Sequence, residues 1–285
     1  MSSPGTVLLT GAAGRVGTML RERLPGYGYR LRLLDRVPLP APAPGTGSAT
    51  GSGSGPEAVV ADLDDTAALR EAVRGMDAVV HLAALPGEES FDAILRTNMV
   101  GTFHLYEAAR AEGILRIVYA SSVHATGFAA VPGPGEPRVG VGGPHRPDTY
   151  YGLSKCFGED LAQLYWDRAG IETVSLRIGS CATEPPPYER SLSTWLSPDD
   201  CARLVHAALT APEVGHTVVY GVSANTRGWL DLAPARALGY EPQDDAERYA
   251  DRILADPAAR ATEHDRAWLG GPFTSRPDPW PPAAG

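Results

Sequence analysis

Lysine is nearly missing from this chain: Lys155 stands alone among twenty-five basic residues, the other twenty-four being arginine. Cysteine is scarce and odd in number. Cys156, Cys181 and Cys201 have no ligand spacing, which argues against a disulfide framework or a zinc site and leaves three reduced thiols and no metal as the expectation. Positive charge is short overall, with a formal net charge of −9 and no basic cluster, so neither nucleic acid nor an anionic membrane is an expected partner. The start, Met1-Ser2-Ser3-Pro4-Gly5, lacks a basic leader region, and Val7-Leu8-Leu9 is too short for a signal peptide or a membrane span. A cytoplasmic chain follows as the expectation. With 285 residues, 43% of them hydrophobic, it has enough apolar material for one large domain carrying a small lobe.

Strand and helix patterns then alternate. Thr6 to Thr10 reads as a strand, followed by a Gly-rich turn, a helix from Val16 to Leu24 and a second strand from Arg30 to Asp35. Residues 37–57 are rich in Pro, Gly, Ser and Ala and read as a flexible insertion. The alternation resumes with a strand at Val59-Val60-Ala61, a helix from Thr66 to Arg74, a strand from Ala78 to Leu82, a long helix from Phe91 to Ala111 and a strand from Arg116 to Ala120. A helix from Tyr151 to Arg168, a strand from Thr173 to Ile178, a helix opened by Ser197-Pro198 and a strand from Thr217 to Tyr220 follow. The pattern predicts an α/β fold with a doubly wound parallel sheet, a small substrate lobe from about 179 to 270, and a loosely held Pro-rich tail over 271–285.

Gly11-Ala12-Ala13-Gly14-Arg15-Val16-Gly17 sits between the first strand and the first helix. In that context glycines let the backbone approach a pyrophosphate, and the helix N-terminus presents unpaired N–H groups to it. Asp35 ends the second strand roughly twenty residues on, where a carboxylate accepts from the adenosine ribose and repels a 2′-phosphate. NAD is therefore favoured, although Arg36 alongside is the type of residue that meets a 2′-phosphate. Asp62 reads either as an adenine contact or as a helix N-cap.

The solitary lysine falls in Tyr151-Gly152-Leu153-Ser154-Lys155. A bias that has put arginine at every other basic position fails where a compact ammonium cannot be replaced by a planar guanidinium. On a helix, positions i and i+4 share a face, so the ammonium would favour the ionised phenol and tune Tyr151 to accept a proton near neutral pH. Chance survival of one lysine is the competing reading of the pair taken alone.

Taken in order, Gly11-x2-Gly14-x2-Gly17, Asp62-Leu63, His81-Leu82-Ala83-Ala84, Asn98, Ser121-Ser122 and Tyr151-x3-Lys155 resemble the extended short-chain dehydrogenases/reductases of the NAD-dependent epimerase/dehydratase family. Ala120-Ser121-Ser122, Cys156-Phe157-Gly158-Glu159, Arg177-Ile178-Gly179-Ser180-Cys181, Leu192-Ser193-Thr194-Trp195 and Ser223-Ala224-Asn225 sharpen the resemblance to uronate dehydrogenases, over about residues 5 to 255. The resemblance implies NAD-linked oxidation of a hexuronic acid at its anomeric carbon to an aldarolactone, in a protein that forms a homo-oligomer. It implies Tyr151 as base, Lys155 as its tuner and a holder of the nicotinamide ribose, Ser122 on the reacting oxygen, and Asn98 supporting a relay water. Cofactor contacts are implied at Gly11, Ala13, Gly14, Arg15, Val16, Gly17, Asp35, Asp62, Leu63, Leu82, Ala83, Ala84, Asn98, Tyr151, Lys155 and Ile178. Substrate contacts are implied at Ser122, Val123, His124, Tyr151, Ser180 and Arg190, the arginine clamping the carboxylate.

Two positions depart from that pattern. Val123 stands where an asparagine is common and Pro86 where a serine is common, and neither side chain donates a hydrogen bond. A dehydrogenase acting on another polar alcohol or lactol therefore stays open beside the uronate reading. A nucleotide-sugar epimerase or dehydratase is disfavoured by the 130 residues left after Lys155 and by Val123-His124-Ala125 where an acidic residue is expected. A non-catalytic NAD(H) sensor is disfavoured because both Tyr151 and Lys155 are kept.

Overall fold

The computed structural model describes residues 5–39 and 57–275. In chain order, β1 (Thr6–Thr10) leads into α1 (Arg15–Arg23), β2 (Arg30–Asp35), β3 (Glu57–Val60), α2 (Thr66–Val73) and β4 (Ala78–His81). Next come α3 (Phe91–Ile94), a π-helical stretch (Leu95–Val100), α4 (Gly101–Ala111), β5 (Arg116–Ser122), α5 (Tyr150–Ala169) and β6 (Glu172–Ile178). The remainder contributes β7 (Ser180–Cys181), α6 (Ser191–Thr194), β8 (Trp195–Leu196), α7 (Pro198–Thr210), β9 (His216–Gly221), α8 (Ala233–Ala237), α9 (Ala250–Leu254) and α10 (Glu263–Ala267).

Seven strands form one parallel sheet in the order β3-β2-β1-β4-β5-β6-β9, the Rossmann-like doubly wound architecture expected from the alternation. Side chains alternate across β1, so Val7 and Leu9 enter a core with Leu20, Leu33, Leu204 and Val205, whereas Leu8 enters another with Leu34, Leu69, Leu105 and Leu161. Helices thus cover both faces, which is why β4 is buried along its whole length and its sequence shows no polar alternation. The chain passes from β3 to β4 on the far side of β1. The loops leaving β1 and β4 consequently diverge and open a crevice at the carboxyl ends of those strands.

Several boundaries differ from the sequence reading. Glu57 belongs to β3 rather than to the insertion, paired in register with Arg32 and bridged to it at 2.7 Å; residues 40–56 lie outside the described part. The cap of α2 is Asp65, whose carboxylate accepts from the Ala68 amide, so Asp62 is not the N-cap. The long helix is broken by the π-helical stretch that carries Asn98. Gly271–Phe273 forms a turn docked against the body, so the start of the tail is not loose as far as Ser275; residues 276–285 lie outside the described part.

Candidate active site

One cavity of about 620 Å³ opens at the crevice. Its walls include Gly11, Ala13, Gly14, Arg15, Val16, Gly17, Asp35, Asp62, Leu63, Leu82, Ala83, Ala84, Ser122, His124, Tyr151, Lys155 and Ile178, so most of the sequence-derived positions meet in one place. Gly11 has φ +69°, and a Cβ there would stand 2.7 Å from the Ala83 nitrogen. At Gly17 a Cβ would collide with the Gly11 carbonyl oxygen, so that glycine lets α1 start directly against the turn. Whereas Asp65, Thr149 and Ser197 cap their helices, Gly14 offers α1 no side-chain acceptor and its first turn has no acidic residue. That end is therefore suited to an anion, and the cradle fits a dinucleotide pyrophosphate. Asp35 accepts from the Ala13 amide at 2.9 Å and from the Val37 amide at 3.2 Å, which fixes its carboxylate at the cavity wall with lone pairs left for a ribose.

The far end of the cavity holds the reactive set. The first turn of α5 is fully tied down: the amides of Tyr150 and Tyr151 donate to the two carboxylate oxygens of Glu88 at 3.0 and 2.9 Å, and that of Gly152 to Thr149 Oγ1 at 2.9 Å. Lys155 Nζ donates to the Ala120 carbonyl at 2.8 Å and lies 5.4 Å from the Tyr151 ring centre. Burial lowers the Lys155 ammonium to about 7 against the opposing charge of Glu159. Burial likewise pushes the Tyr151 phenol up to about 12, with a hydrogen bond from Ser122 pulling it down and the charge of Asp148 adding to the rise. Burial thus dominates both groups: the buried ammonium is hard to charge, and desolvation holds the phenol up.

Four expected contacts fall elsewhere. Asn98 is buried with its carboxamide already engaged, accepting from the Leu85 amide at 2.8 Å and donating to the Leu85 carbonyl and Ser154 Oγ, each at 3.1 Å. It joins the loop after β4 to α5, with both of its N–H donors engaged. Val123 is 1% exposed and packs with Tyr220, Val222, Leu230 and Leu269, facing the core instead of the substrate. Ser180 meets Tyr188 Oη at 3.1 Å and Thr194 Oγ1 at 3.4 Å and does not line the cavity. Arg190 lines a second, smaller cavity of about 190 Å³ with Ser193, Trp229 and Trp268. Its Nε donates to the Leu269 carbonyl at 2.7 Å, and one buried guanidinium nitrogen, Nη2, has no hydrogen-bond partner among the described residues.

Three residues at this end escaped the sequence reading. Glu88 pins α5, Asp148 pairs with His124 Nδ1 at 2.7 Å, and the Phe273 ring lies 4.3 Å from the His124 ring. The one local signal was Asp148-Thr149 ahead of a helix, which reads as a cap. Beneath the cavity, Ser121 donates to Glu159, which also receives a two-pronged bond from Arg177 and one from His145. Among the described residues no cluster of three or more His, Cys, Asp or Glu side chains is placed to hold a metal, and no helix is long and apolar enough to cross a membrane.

A doubly wound sheet with a glycine cradle at its switch point, and a Tyr, Lys and Ser set at the other end of the same cavity, defines a dinucleotide-linked oxidoreductase of the short-chain type. The model of the NAD dependent epimerase/dehydratase family matches residues 7–191, and the chain belongs to that family. It is 46% identical over 267 residues to a uronate dehydrogenase of Pseudomonas putida, covering 94% of each chain. It is 38% identical over 258 residues to an NAD-dependent glucose-6-phosphate dehydrogenase of Haloferax volcanii, covering 85% of this chain and 95% of that one. The crystal structure of uronate dehydrogenase from Agrobacterium tumefaciens superposes with a TM-score of 0.84 at 41% identity, covering 96% of this chain and 98% of the other.

Proposed function

We propose that this protein is an NAD-dependent dehydrogenase that oxidises a hexuronic acid at its anomeric carbon to the aldarolactone. Support for the reaction type comes from Tyr151, Lys155 and Ser122 facing the cavity that carries the dinucleotide cradle. In this reading Tyr151 Oη takes the anomeric hydroxyl proton and Ser122 orients the reacting oxygen. When bound, NAD supplies the hydride acceptor and a positively charged ring. The substrate lobe is formed mainly by residues 179–270, and the compartment is the cytoplasm, in keeping with three buried free thiols.

The observation that carries the substrate class is the similarity to uronate dehydrogenases over nearly the whole chain. Arg190, which lines the smaller cavity and whose buried Nη2 finds no acceptor among the described residues, is proposed as the carboxylate clamp, because a buried guanidinium nitrogen without an acceptor is costly and a carboxylate supplies one. A second reading, an aldose phosphate, rests on the same atom, since a guanidinium also suits phosphate. NADH formation is followed with NAD and, separately, D-glucuronate, D-galacturonate, glucose 6-phosphate and the neutral parent sugars. Reduction with the uronates supports the proposal; reduction only with the phosphate or the neutral sugars removes it. In the same assay Arg190→Ala is expected to raise KM for the uronate about 10- to 100-fold, the worth of a charge-assisted hydrogen bond, with much less change in kcat. Unaltered KM would take the clamp away from Arg190.

The chain is also proposed to form homo-oligomers. Helices α4 and α5 leave Phe103, Leu153, Phe157 and Leu164 exposed, an apolar surface of the kind that pairs subunits. Light scattering giving the monomer mass at working concentration would refute this.

A further inference from the structure

Asp148 is a carboxylate with a fully buried side chain that the mechanism above does not use. A Cβ on Gly127, Gly152 or Gly270 would collide with or crowd its carboxyl group, so three separate segments give up side-chain volume to accommodate it. A charge so enclosed is costly unless paired. Its pairings are His124 Nδ1 at 2.7 Å and the Thr149 hydroxyl, which donates at 3.0 Å. Its charge works against ionisation of the nearby Tyr151, so its use does not lie in helping that phenol ionise. An ionised carboxylate only accepts hydrogen bonds, so Nδ1 must carry the proton of a neutral His124 ring. No hydrogen bond within the described residues engages Nε2, while His124 lines the main cavity and the Phe273 ring covers it at 4.3 Å.

We propose that Asp148 is a positioning residue that holds His124 in the tautomer protonated on Nδ1, so that Nε2 faces the cavity as the hydrogen-bond acceptor for a substrate hydroxyl. The inference rests on the proposed reading of this cavity as the site of sugar oxidation, but the tautomer is testable without substrate. Full-length protein carrying ¹⁵N-labelled histidine, with His124 signals assigned by their loss in His124→Gln, is expected to give a protonated Nδ1 and a bare Nε2. With the sugar that reduces NAD, Asp148→Asn is expected to lower kcat/KM about 10- to 100-fold, the range for a hydrogen bond to a substrate group. Placed on a His124→Gln background, the same change is expected to cost no more than about twofold, because residues acting through one another are not additive. Asp148→Ala covers the case in which the asparagine carbonyl keeps the bond to Nδ1, and thermal melts check that each variant is folded. A bare Nδ1 in the unmodified protein overturns the proposal. So does an equal loss from Asp148→Ala in both backgrounds, or no loss from it in either. Failure of every uronate as a substrate would strike the function proposed above and leave the spectroscopic result standing.

Discussion

Tyr151→Phe is expected to retain NADH binding and lose turnover by about 10²- to 10⁴-fold, the range for removing a positioned general base. The substitution deletes one oxygen and keeps the ring, so the edge contact with His124 at 6.1 Å and the approach of Lys155 at 5.4 Å are preserved. Helix α5 stays anchored, because Glu88 and Thr149 hold its backbone and not its phenol. Folding is therefore expected to be unharmed, because the hydroxyl removed belongs to a cavity-lining side chain and not to the core. The pH profile separates this role from a steric one. Burial pushes the phenol up to about 12, so the fraction able to accept a proton grows as pH rises. Sugar oxidation by the unmodified protein should climb with pH on the alkaline side, and the residual activity of Tyr151→Phe should not. Steady-state kinetics from pH 7 to 10, with NADH binding by fluorescence as the control, test this. Activity within tenfold of the parent, with the same alkaline rise, would assign the proton transfer to another group.

What was legible in the sequence is what the backbone decides locally. The Gly11, Gly14 and Gly17 spacing marks a turn that only small residues allow, and Tyr151 and Lys155 share a helical face by their separation alone. Strand alternation likewise gave the parallel sheet, because each strand's burial on two faces is written in its own residues. Partnerships across the chain were not legible. Glu88 reaches amides 62 and 63 positions away, and nothing in its local sequence distinguishes Asp148, which the fold surrounds with His124 and three glycines. The partners of Asn98 were hidden for a related reason: its side chain joins Leu85 to Ser154, residues far from it in sequence. The Tyr151 phenol shows the same limit in electrostatics, since the spacing to Lys155 gave the sign of one interaction while burial, a property of the whole fold, set the outcome.

Arg177→Met is expected to destabilise the protein by about 3–5 kcal/mol at neutral pH, the cost of stranding one member of a buried ion pair. Arg177 Nε and Nη2 reach the two carboxylate oxygens of Glu159 at 2.9 and 2.7 Å, with both side chains no more than 2% exposed. Burial by itself would raise the Glu159 carboxyl; hydrogen bonds from His145 and Arg177, the charge of Arg177 and the Ser121 hydroxyl outweigh it and hold the group down to about 2. A depressed carboxyl contributes stability that is present above its ordinary value of 4.5 and is lost as pH falls through the folded value near 2. In the variant, burial is opposed by His145 and Ser121 alone, so the carboxyl rises and the advantage of its charged form shrinks or reverses. The gap in unfolding free energy between parent and variant should be widest near pH 8 and narrow as pH is taken towards 3, because below 4.5 the unfolded carboxyl takes up a proton and the parent's advantage in keeping it charged is progressively lost. Urea unfolding across that range measures it. Because Ser121 joins this network from the strand end that carries Ser122, kcat should fall as well while the protein remains folded. A gap below about 1 kcal/mol, the worth of an exposed pair, or one that does not change with pH, would show that Arg177 is not what keeps Glu159 charged beneath the site.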